Sequence, residues 1–503
     1  MGKYRSKIAD MDIERLYSVF TSSRGVTTDS RTISEGELFF ALKGENFDGN
    51  EYALKALELG ACCAVVAEDS DAAKSGDPRI FPVPDTLAAL QELARHHRRT
   101  VRVDGKPLTV IGLTGTNGKT TTKELVTRVL SAKYNVTSTR GNLNNDIGVP
   151  LTLLSIGPDT QIAVVEMGAN HPDDILKLVG VCLPDYGLIT NVGKAHLLGF
   201  GSVEGVKAAK GRLYDFLDAR GGTIFLNADD PVLEEMAARR ANLKVLRYGV
   251  RHWDAMVLPS DLSHPYLRMA IPQSVGGGED PDCLLGLETH LSGSYNAANV
   301  CAAIAVGLHF GVSLDEAIGA VGEYVPSNNR SQMEKTERNI LIKDAYNANP
   351  ASMAAALDNL GSVVADSKAA LLGDMRELGA ESLNEHIAVV RRLRNMNLGL
   401  VCLVGEEFGK ALEESGLRDE FRWFATSADL AAWLADNPLS GRRIQNPETH
   451  EKIIKGSNAF YILAMDVARI GCQSVVSVLK VFPNEQNWKI KLVNIYVLGK
   501  TLE

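Results

Sequence analysis

Several features that would place this chain in a special class of protein are missing from its sequence. Its 503 residues include only seven cysteines, scattered without metal-ligand spacing, which argues against a disulfide framework or a zinc site. No run reaches the roughly 18 apolar residues that cross a bilayer, and no signal peptide is expected because the charged N-terminus lacks an apolar stretch behind it. The net charge of −9 gives no bulk attraction to nucleic acid. We expect a cytoplasmic protein with neither a nucleic-acid partner nor membrane insertion.

The composition and length are those of a multidomain globular protein. Hydrophobic residues make up 45% and charged residues 23% of the chain, which excludes a disordered or fibrous protein. A single core does not usually extend over 503 residues, so several domains are expected. The predicted division is 1–104, 105–325 and 326–458, followed by an atypical tail at 459–503 to which no role is assigned.

Short apolar runs alternate with helical stretches through most of the chain, and this order predicts parallel sheets with crossover helices. The predicted buried strands are 107–113, 161–167, 186–191 and 222–227 in the second region, and 340–346, 369–375 and 398–405 in the third. The fold class is therefore α/β.

A glycine-rich segment, IGLTGTNGKTTT at 111–122, follows an apolar strand and opens a helix. Glycines in that place let backbone N–H groups close on a phosphate, while a lysine supplies charge and a hydroxyl can reach Mg²⁺. The strict phosphate-loop pattern fails by one position, because residue 113 is Leu and the glycine is at 112. The alternative is a glycine turn beside a solvated lysine, and the strand–loop–helix context favours phosphate binding. The residues predicted to bind ATP here are Gly115, Thr116, Asn117, Gly118, Lys119, Thr120 and Thr121.

Polar residues lie where ligands bind in parallel sheets, beyond the strand ends. Glu166 ends a predicted strand and is suited to Mg²⁺, or equally to a helix cap. His196 lies in a loop, where a surface or capping role is the commoner one and imidazole is an unusual ligand for Mg²⁺. Lys210 lies in a helical stretch, and the sequence gives no reason to prefer it over Lys207.

An amide-rich segment, GNLNNDIGVP at 141–150, has two interpretations of nearly equal weight. Asn142, Asn144 and Asn145 can hydrogen-bond a polar substrate. They can instead build Asx turns, which need no ligand.

Four segments in one order resemble the Mur ligase family, ATP-dependent amide-forming enzymes of peptidoglycan precursor synthesis. They are TGTNGKTTT at 114–122, EMGANHPDDI at 166–175, TNVGKAHLLGFGS at 190–202 and AAKGRLYDF at 208–216. The resemblance accounts for the irregular phosphate loop. It implies ATP and Mg²⁺ as cofactors, with Thr120, Glu166, His196 and a carbamylated Lys210 as metal ligands. Lys119, His196 and Lys210 become the expected catalytic residues.

Further segments are similar to those of the family member that joins D-alanyl-D-alanine to a UDP-MurNAc-tripeptide. They are residues 27–53, the amide-rich segment, DAYNANPASM at 344–353 and GDMRELG at 373–379. The resemblance, which covers roughly residues 20 to 440, implies three domains. A central ATPase domain with a parallel sheet of the P-loop type would be flanked by an N-terminal α/β uridine-nucleotide domain and a C-terminal Rossmann-like α/β domain.

Other site residues follow from the resemblance alone. Those expected near ATP are Asn296, Asn299, Arg330 and Asp344. Those expected near the dipeptide or other substrate groups are Tyr346, Asn347, Asn349 and Ser352, with Asn142, Asn144 and Asn145. Those expected near the uridine nucleotide are Asp29, Ser30, Arg31, Asn46 and Asp48. A surface ion pair between Arg330 and Asp344, and turn chemistry for the others, are the alternatives.

Two departures from the family pattern and three competing functions stay open. Tyr295 stands where the family commonly has histidine, and the sequence after 458 matches no expected family ending, although EKIIKGSN at 451–458 is a predicted strand. The competing functions are a sister ligase, a folylpolyglutamate synthase and a non-catalytic nucleotide-binding protein. The DAYNANP segment argues against the first two. A monomer is expected.

Overall fold

The structure is a computed structural model, and the residues that it describes form two compact units. The first unit comprises Met1–Val192, Lys207–Tyr248 and Ala302–Ala317, and the second comprises Gly193–Val206, Gly249–Cys301 and Ile318–Glu503. The described residues are 12–44, 47–260, 264–280, 282–327, 330, 332–335, 339–344, 347–363, 367–437, 439, 460–465, 469–470, 473–482 and 489–498.

Helices and strands alternate along most of the chain, as the apolar pattern predicts. The helices are α1 Ile13–Ser22, α2 Ala53–Glu58, α3 Thr86–Thr100, α4 Lys119–Leu130, α5 Gly148–Leu154, α6 Asp174–Cys182, α7 Leu197–Phe200, α8 Val203–Asp218, α9 Pro231–Ala238, α10 Ala297–His309, α11 Leu314–Gly322, α12 Pro350–Ser362, α13 Ser382–Arg394, α14 Glu406–Ser415 and α15 Ser427–Asp436. None of the helices in the described ranges is both long enough and apolar enough to cross a membrane.

The strands group into several sheets. They are β1 Val26–Thr27, β2 Leu38–Phe40, β3 Cys63–Ala67, β4 Ile80–Val83, β5 Arg102–Val103, β6 Lys106–Pro107, β7 Thr109–Thr114, β8 Val136–Ser138, β9 Ile162–Glu166, β10 Tyr186–Ile189, β11 Thr223–Asn227, β12 Lys244–Tyr248, β13 Met256–Leu258, β14 Arg268–Pro272, β15 Leu284–Glu288, β16 Gln332–Lys335, β17 Asn339–Asp344, β18 Ser367–Gly373, β19 Leu400–Val404, β20 Arg422–Phe424, β21 Phe460–Met465, β22 Arg469–Ile470, β23 Gln473–Phe482 and β24 Lys489–Leu498.

The first unit is built on a six-stranded parallel sheet in the order β12-β11-β10-β7-β9-β8. Strand β7 lies inside this sheet, and its residues Val110, Ile111 and Leu113 are fully buried. A parallel strand covered on both faces reads as a continuous apolar run rather than an alternating one. This sheet confirms the predicted central parallel sheet and the predicted α/β class.

A smaller parallel sheet, β1-β2-β3-β4, belongs to the same unit and shares its core. Leu90 of α3 and Leu153 of α5 are members of one continuous cluster of buried side chains. The buried Arg98 of α3 donates to Asp185 over 2.8 Å, and Asp185 accepts from the backbone N–H of Val110 over 2.8 Å. The predicted linker around 101–107 contains the short β5–β6 hairpin. The first two predicted regions are therefore packed together through apolar and ionic contacts.

The second unit contains two features that the sequence analysis does not predict. One is the antiparallel sheet β13-β14-β15. The other is the position of β21, which pairs in parallel with both β17 and β18 in the sheet β16-β17-β21-β18-β19-β20. The third region thus extends past the predicted boundary at 458, because the apolar run FYILAM supplies an interior strand. The predicted strand at 451–458 lies outside the described residues.

Candidate nucleotide and metal site

The glycine-rich loop connects the end of β7 at Thr114 with the start of α4 at Lys119, as predicted. Gly115 has φ +151°, and a Cβ atom there would lie 1.8 Å from the Oγ1 atom of Thr190. Thr190 Oγ1 donates to the carbonyl of Asn117 over 2.6 Å, and Asn191 accepts from the backbone N–H of Thr116 over 3.0 Å. The residues after β10 therefore fix the loop from one side, and only glycine fits at position 115.

The irregular spacing of the loop has a packing explanation. Gly112 is a strand residue of β7, and a Cβ atom there would come within 2.9 Å of the Met167 side chain and 3.0 Å of Pro184. Leu113 is fully buried in the sheet. The glycine at 112 thus serves the contact of β7 with its neighbours, and the turn proper begins at Gly115.

Two lysines converge on this loop. Lys119 Nζ donates to the carbonyl oxygens of Gly115 and Thr116, over 2.9 and 3.0 Å. Lys210 Nζ also donates to the Gly115 carbonyl over 2.9 Å, from a side chain that is only 3% exposed. Burial, helped by the nearby charge of Lys119, holds the pKa of Lys210 well below its usual range. Lys207 instead forms an ion pair with Glu235 over 2.7 Å, so burial separates the two lysines that the sequence could not.

Glu166, the last residue of β9, is a buried carboxylate beside the same helix. Its Oε1 atom accepts from Thr120 Oγ1 over 3.2 Å and from Asn144 Nδ2 over 2.8 Å. Among the described residues, Oε2 is buried and has no hydrogen-bond partner. Glu166 does not cap α6, which begins eight residues later at Asp174, but it contacts Thr120 in the first turn of α4. The role at a helix end and the role as a metal ligand both stay predictions. A buried carboxylate oxygen without a proton donor is suited to a cation.

The three asparagines of the amide-rich segment have different surroundings. Asn145 Oδ1 accepts from the backbone N–H of Gly148 over 2.8 Å, which is turn chemistry at the start of α5. Asn144 contacts Glu166, while Asn142 is exposed. The Asx-turn interpretation therefore applies to Asn145, and a substrate contact of Asn142 or Asn144 stays a prediction.

His196 belongs to the second unit. It precedes the one-turn helix α7 in a left-handed conformation, with φ +51°, and its Nδ1 atom forms a very short contact with Oε2 of Glu377. Lys194 forms an ion pair with Glu385 over 2.6 Å in the same region. Glu377 belongs to the GDMRELG segment, but the sequence alone does not distinguish it as a site residue.

The second unit also holds the other residues expected near ATP. Asn296 is 1% exposed and donates to the Ser292 carbonyl over 2.8 Å, and Asn299 donates to Asn296 Oδ1 over 2.9 Å. Asp344 ends β17, and burial raises its pKa to about 6 against the opposing charge of Arg330.

Several predicted substrate residues make local hydrogen bonds. Asn349 and Ser352 form a reciprocal capping box at the start of α12, over 2.9 and 3.1 Å. Asp29 accepts two hydrogen bonds from the Arg31 guanidinium, over 2.8 and 2.7 Å.

The remaining predicted substrate residues fall into three groups. Asp48 caps the short turn at Asn50 over 3.0 Å. Ser30 is half-buried, as is Asn347. Asn46 and Tyr346 lie outside the described residues.

Comparisons with known proteins are consistent with this architecture. Three family models match: "Mur ligase family, catalytic domain" at 23–98, "Mur ligase middle domain" at 113–307 and "Mur ligase, glutamate ligase domain" at 329–444. The UDP-N-acetylmuramoyl-tripeptide–D-alanyl-D-alanine ligase of Escherichia coli K12 is 33% identical over 417 residues, which cover 83% of this chain and 89% of the relative. The chain belongs to the Mur ligase family.

Other Mur ligases give the same result. The ligase of the same name from Bacillus subtilis is 35% identical over 365 residues, covering 71% of this chain and 75% of that one. A crystal structure of MurF from Acinetobacter baumannii superposes with a TM-score of 0.74 and 27% identity, covering 90% of this chain and 95% of that one. MurF from Thermotoga maritima in complex with ADP has the same fold, with a TM-score of 0.72, 24% identity and coverage of 89% and 95%. The predicted family and fold are confirmed, and the chain is a ligase of this family.

Proposed function

We propose that this Mur ligase joins D-alanyl-D-alanine to the terminal carboxylate of a UDP-MurNAc-tripeptide, with ATP as the energy source. Relatives support this proposal, because the matched proteins from two organisms carry the name of this ligase and the match extends over most of the chain. The observation that carries the chemistry is the buried Glu166, which accepts from Thr120 directly after the glycine loop and has one oxygen without a partner among the described residues. A loop for phosphates beside a buried anion is the arrangement that a magnesium–nucleotide complex requires.

The loop residues would bind the nucleotide phosphates. Gly115 and Gly118 allow the backbone N–H groups at the start of α4 to approach an anion, and Lys119 adds a positive charge. Lys119 contacts the loop carbonyls at 2.9 and 3.0 Å. We propose that it moves a short distance to bind the β- and γ-phosphates, with Thr116, Asn117 and Thr121 completing the loop.

The residues present fit Mg²⁺. This ion usually takes one or two carboxylates and keeps its other positions for water and substrate phosphates. Within the described part of the chain, no three His, Cys, Asp or Glu side chains gather into a metal cage. Glu166 and Thr120 would hold the ion, and on the resemblance His196 and a carbamylated Lys210 would contribute as well. The ion would offset the repulsion between the nucleotide phosphates and the substrate carboxylate.

The burial of Lys210 supports the proposed carbamylation. Burial holds the pKa of Lys210 well below its usual range, which favours the neutral amine, and the neutral amine is the form whose nitrogen lone pair attacks CO₂. A C–N bond forms, one N–H proton is lost, and the product is an anionic carbamate. The side chain thereby gains a negative charge and two oxygen atoms that can bind a metal ion.

The proposed reaction has two steps. An oxygen of the tripeptide carboxylate attacks the γ-phosphorus of ATP, so that the P–O bond to ADP breaks and an acyl phosphate forms. The amine of D-alanyl-D-alanine then attacks the acyl carbon, loses a proton and displaces inorganic phosphate as the amide forms. Lys119 and the loop N–H groups stabilise charge on the transferred phosphoryl group.

The remaining residues keep the roles that the resemblance implies, as proposals. Asn296, Asn299, Arg330 and Asp344 would contact ATP. Asn142, Asn144, Asn145, Tyr346, Asn347, Asn349 and Ser352 would lie near the peptide substrates. Asp29, Ser30, Arg31, Asn46 and Asp48 would lie near the uridine nucleotide. We further propose a monomer that works in the cytoplasm, with domains at 1–104, 105–325 and 326–458.

Phosphate release tests the proposal. We expect release of phosphate from ATP only when UDP-MurNAc-tripeptide and D-alanyl-D-alanine are both present. Mass spectrometry should then show a product that is heavier than the tripeptide substrate by the mass of D-alanyl-D-alanine minus one water. UDP-MurNAc-dipeptide with single amino acids, and folate with glutamate, are the controls for a sister ligase and for a folylpolyglutamate synthase. ATP binding without release in the first mixture would contradict the proposed function.

A further inference from the structure

Two segments of the second unit that are distant in the chain are joined by a pair of unusual residues. His196 Nδ1 contacts Glu377 Oε2 across 181 positions of sequence. The backbone N–H of Leu198 donates to the carbonyl oxygen of the same Glu377 over 3.1 Å. Glu377 thus contacts the histidine segment through its side chain and through its backbone.

Both members of this pair have left-handed backbone conformations. Among the described residues only five non-glycine residues have positive φ, and they include His196 at +51° and Glu377 at +62°. Such conformations are unfavourable for residues with a Cβ atom, and they persist where the surrounding structure requires them, often at functional sites. An ordinary surface ion pair needs no such backbone.

The segment that carries Glu377 is fixed by buried and half-buried hydrogen bonds. Asp374 accepts from the backbone N–H groups of Glu407 and Phe408, over 3.0 and 2.9 Å, and so caps α14. His386 has no exposed surface, and its Nε2 atom accepts from the backbone N–H of Met375 over 3.0 Å. These contacts start two to three residues from Glu377 and limit the positions that its carboxylate can take.

A carboxylate at Nδ1 determines the tautomer of the ring. An ionised carboxylate only accepts hydrogen bonds, so Nδ1 must carry the proton. In the neutral imidazole the lone pair is then on Nε2, the atom that can bind a cation. Histidines that bind metals usually donate their other N–H to a carboxylate or a carbonyl in this way.

We propose that Glu377 is a positioning residue that holds His196 in the Nδ1–H tautomer and in the ring orientation needed to bind Mg²⁺ through Nε2. This inference rests on the proposed function, in which His196 is a metal ligand. It assigns to the GDMRELG segment a role in metal binding, although Glu377 itself contacts neither metal nor substrate. The backbone contact to Leu198 keeps the two segments in register while the carboxylate orients the ring.

The test compares Glu377→Gln with Glu381→Gln, which removes the same charge from an exposed side chain four residues later. Glutamine at 377 preserves size and the backbone contact but can present an N–H group to the ring. We expect the Mg²⁺ concentration for half-maximal rate to rise about tenfold in Glu377→Gln, with less than a twofold change in the control. The KM for D-alanyl-D-alanine should stay unchanged.

A second readout does not depend on activity. In metal-free protein with ¹⁵N-labelled histidine, the His196 signal, assigned by its loss in His196→Gln, should report Nδ1–H in the wild type and a shift towards Nε2–H in Glu377→Gln. A wild-type Nε2–H tautomer, or an unchanged Mg²⁺ requirement in Glu377→Gln, would overturn the inference. If the proposed function itself fails, no phosphate is released by the wild type. In that case the binding of Mn²⁺ in the presence of ATP, followed by electron paramagnetic resonance, replaces the rate measurement. Equal Mn²⁺ affinities in the wild type and in Glu377→Gln would again overturn the inference.

Discussion

Lys119 and Lys210 donate hydrogen bonds to the same acceptor, the carbonyl oxygen of Gly115, each over 2.9 Å. Two ammonium groups at one oxygen repel each other, and the group that is more buried loses its proton first. Lys210 is that group, since its side chain is 3% exposed and its pKa lies well below the usual range. The two lysines therefore differ electrostatically, because burial and the nearby charge of Lys119 favour the neutral form of Lys210.

Replacement of Lys210 should abolish turnover. We expect Lys210→Ala to lower kcat by about 100-fold or more, because the loop loses both a buried donor and the proposed carbamate. Lys207→Ala, on the same helix but paired with Glu235, should change kcat less than threefold. The measurement is phosphate release under saturating substrates, with ¹³C NMR in labelled bicarbonate to detect the carbamate. Equal losses in the two variants would contradict the role of Lys210.

Replacement of Glu166 should weaken Mg²⁺-dependent catalysis more than it lowers the stability of the fold. Glu166→Gln keeps the shape of the side chain and one acceptor for Thr120. It removes the negative charge of a carboxylate whose Oε2 atom has no hydrogen-bond partner among the described residues. We expect kcat to fall by about 100-fold to 1,000-fold, with the melting temperature lowered by only a few degrees. Calorimetric titration with ATP, in the presence and in the absence of Mg²⁺, tests whether the loss of activity comes from lost Mg²⁺ binding. The exposed Asp159→Asn is the matched control, and a Glu166→Gln variant with normal Mg²⁺ dependence would exclude a ligand role.

An added methyl group at Gly115 should disrupt the phosphate loop. The Cβ atom of Gly115→Ala would lie 1.8 Å from Thr190 Oγ1, at a φ of +151° that alanine rarely adopts. We expect the free energy of unfolding to fall by about 2 kcal/mol and ATP affinity to fall at least tenfold. Gly157→Ala, whose Cβ would meet no atom within 4 Å, is the control for both measurements. Unchanged ATP affinity in Gly115→Ala would show that the loop is not the phosphate site.

Stability should decline in mild acid because of His97. Its Nε2 atom contacts the Ile156 carbonyl over 3.0 Å, and Tyr17 lies 3.2 Å from its Nδ1 atom. Burial lowers the pKa of His97, although the carbonyl opposes this shift. The unfolded chain then binds a proton below about pH 6.5 that the folded chain resists, so stability is lost as pH falls through that value.

The measurement is urea unfolding at pH 7.5 and 5.5. His97→Gln should be less stable than the wild type at pH 7.5 by about 1 to 2 kcal/mol, from lost hydrogen bonds, and should lose less on acidification. Tyr17→Phe, which keeps the titrating ring, should retain the wild-type pH dependence. An identical pH slope in the wild type and in His97→Gln would assign the acid sensitivity to other groups.

The elements with local signals could be predicted, and the contacts between distant segments could not. The loop at Gly115 and the strand ending at Glu166 follow from apolar runs and glycine spacing. The choice between Lys207 and Lys210 depends on which face of α8 is buried, and the contact of His196 with Glu377 depends on a pairing across 181 residues. Neither the buried face of α8 nor this long-range pairing can be recognised from the local sequence. Strand β21 was missed because its place inside the sheet is decided by partners more than 90 positions earlier.

The packing of α3 against α5 and α6 has a consequence for protein engineering. Two family models divide the chain between residues 98 and 113, whereas the buried cluster and the bond from Arg98 to Asp185 cross that boundary. A hybrid enzyme made by exchanging only the N-terminal module with a relative would therefore join two mismatched apolar faces. Successful chimeras should transplant the matching surface of α5 and α6 together with that module.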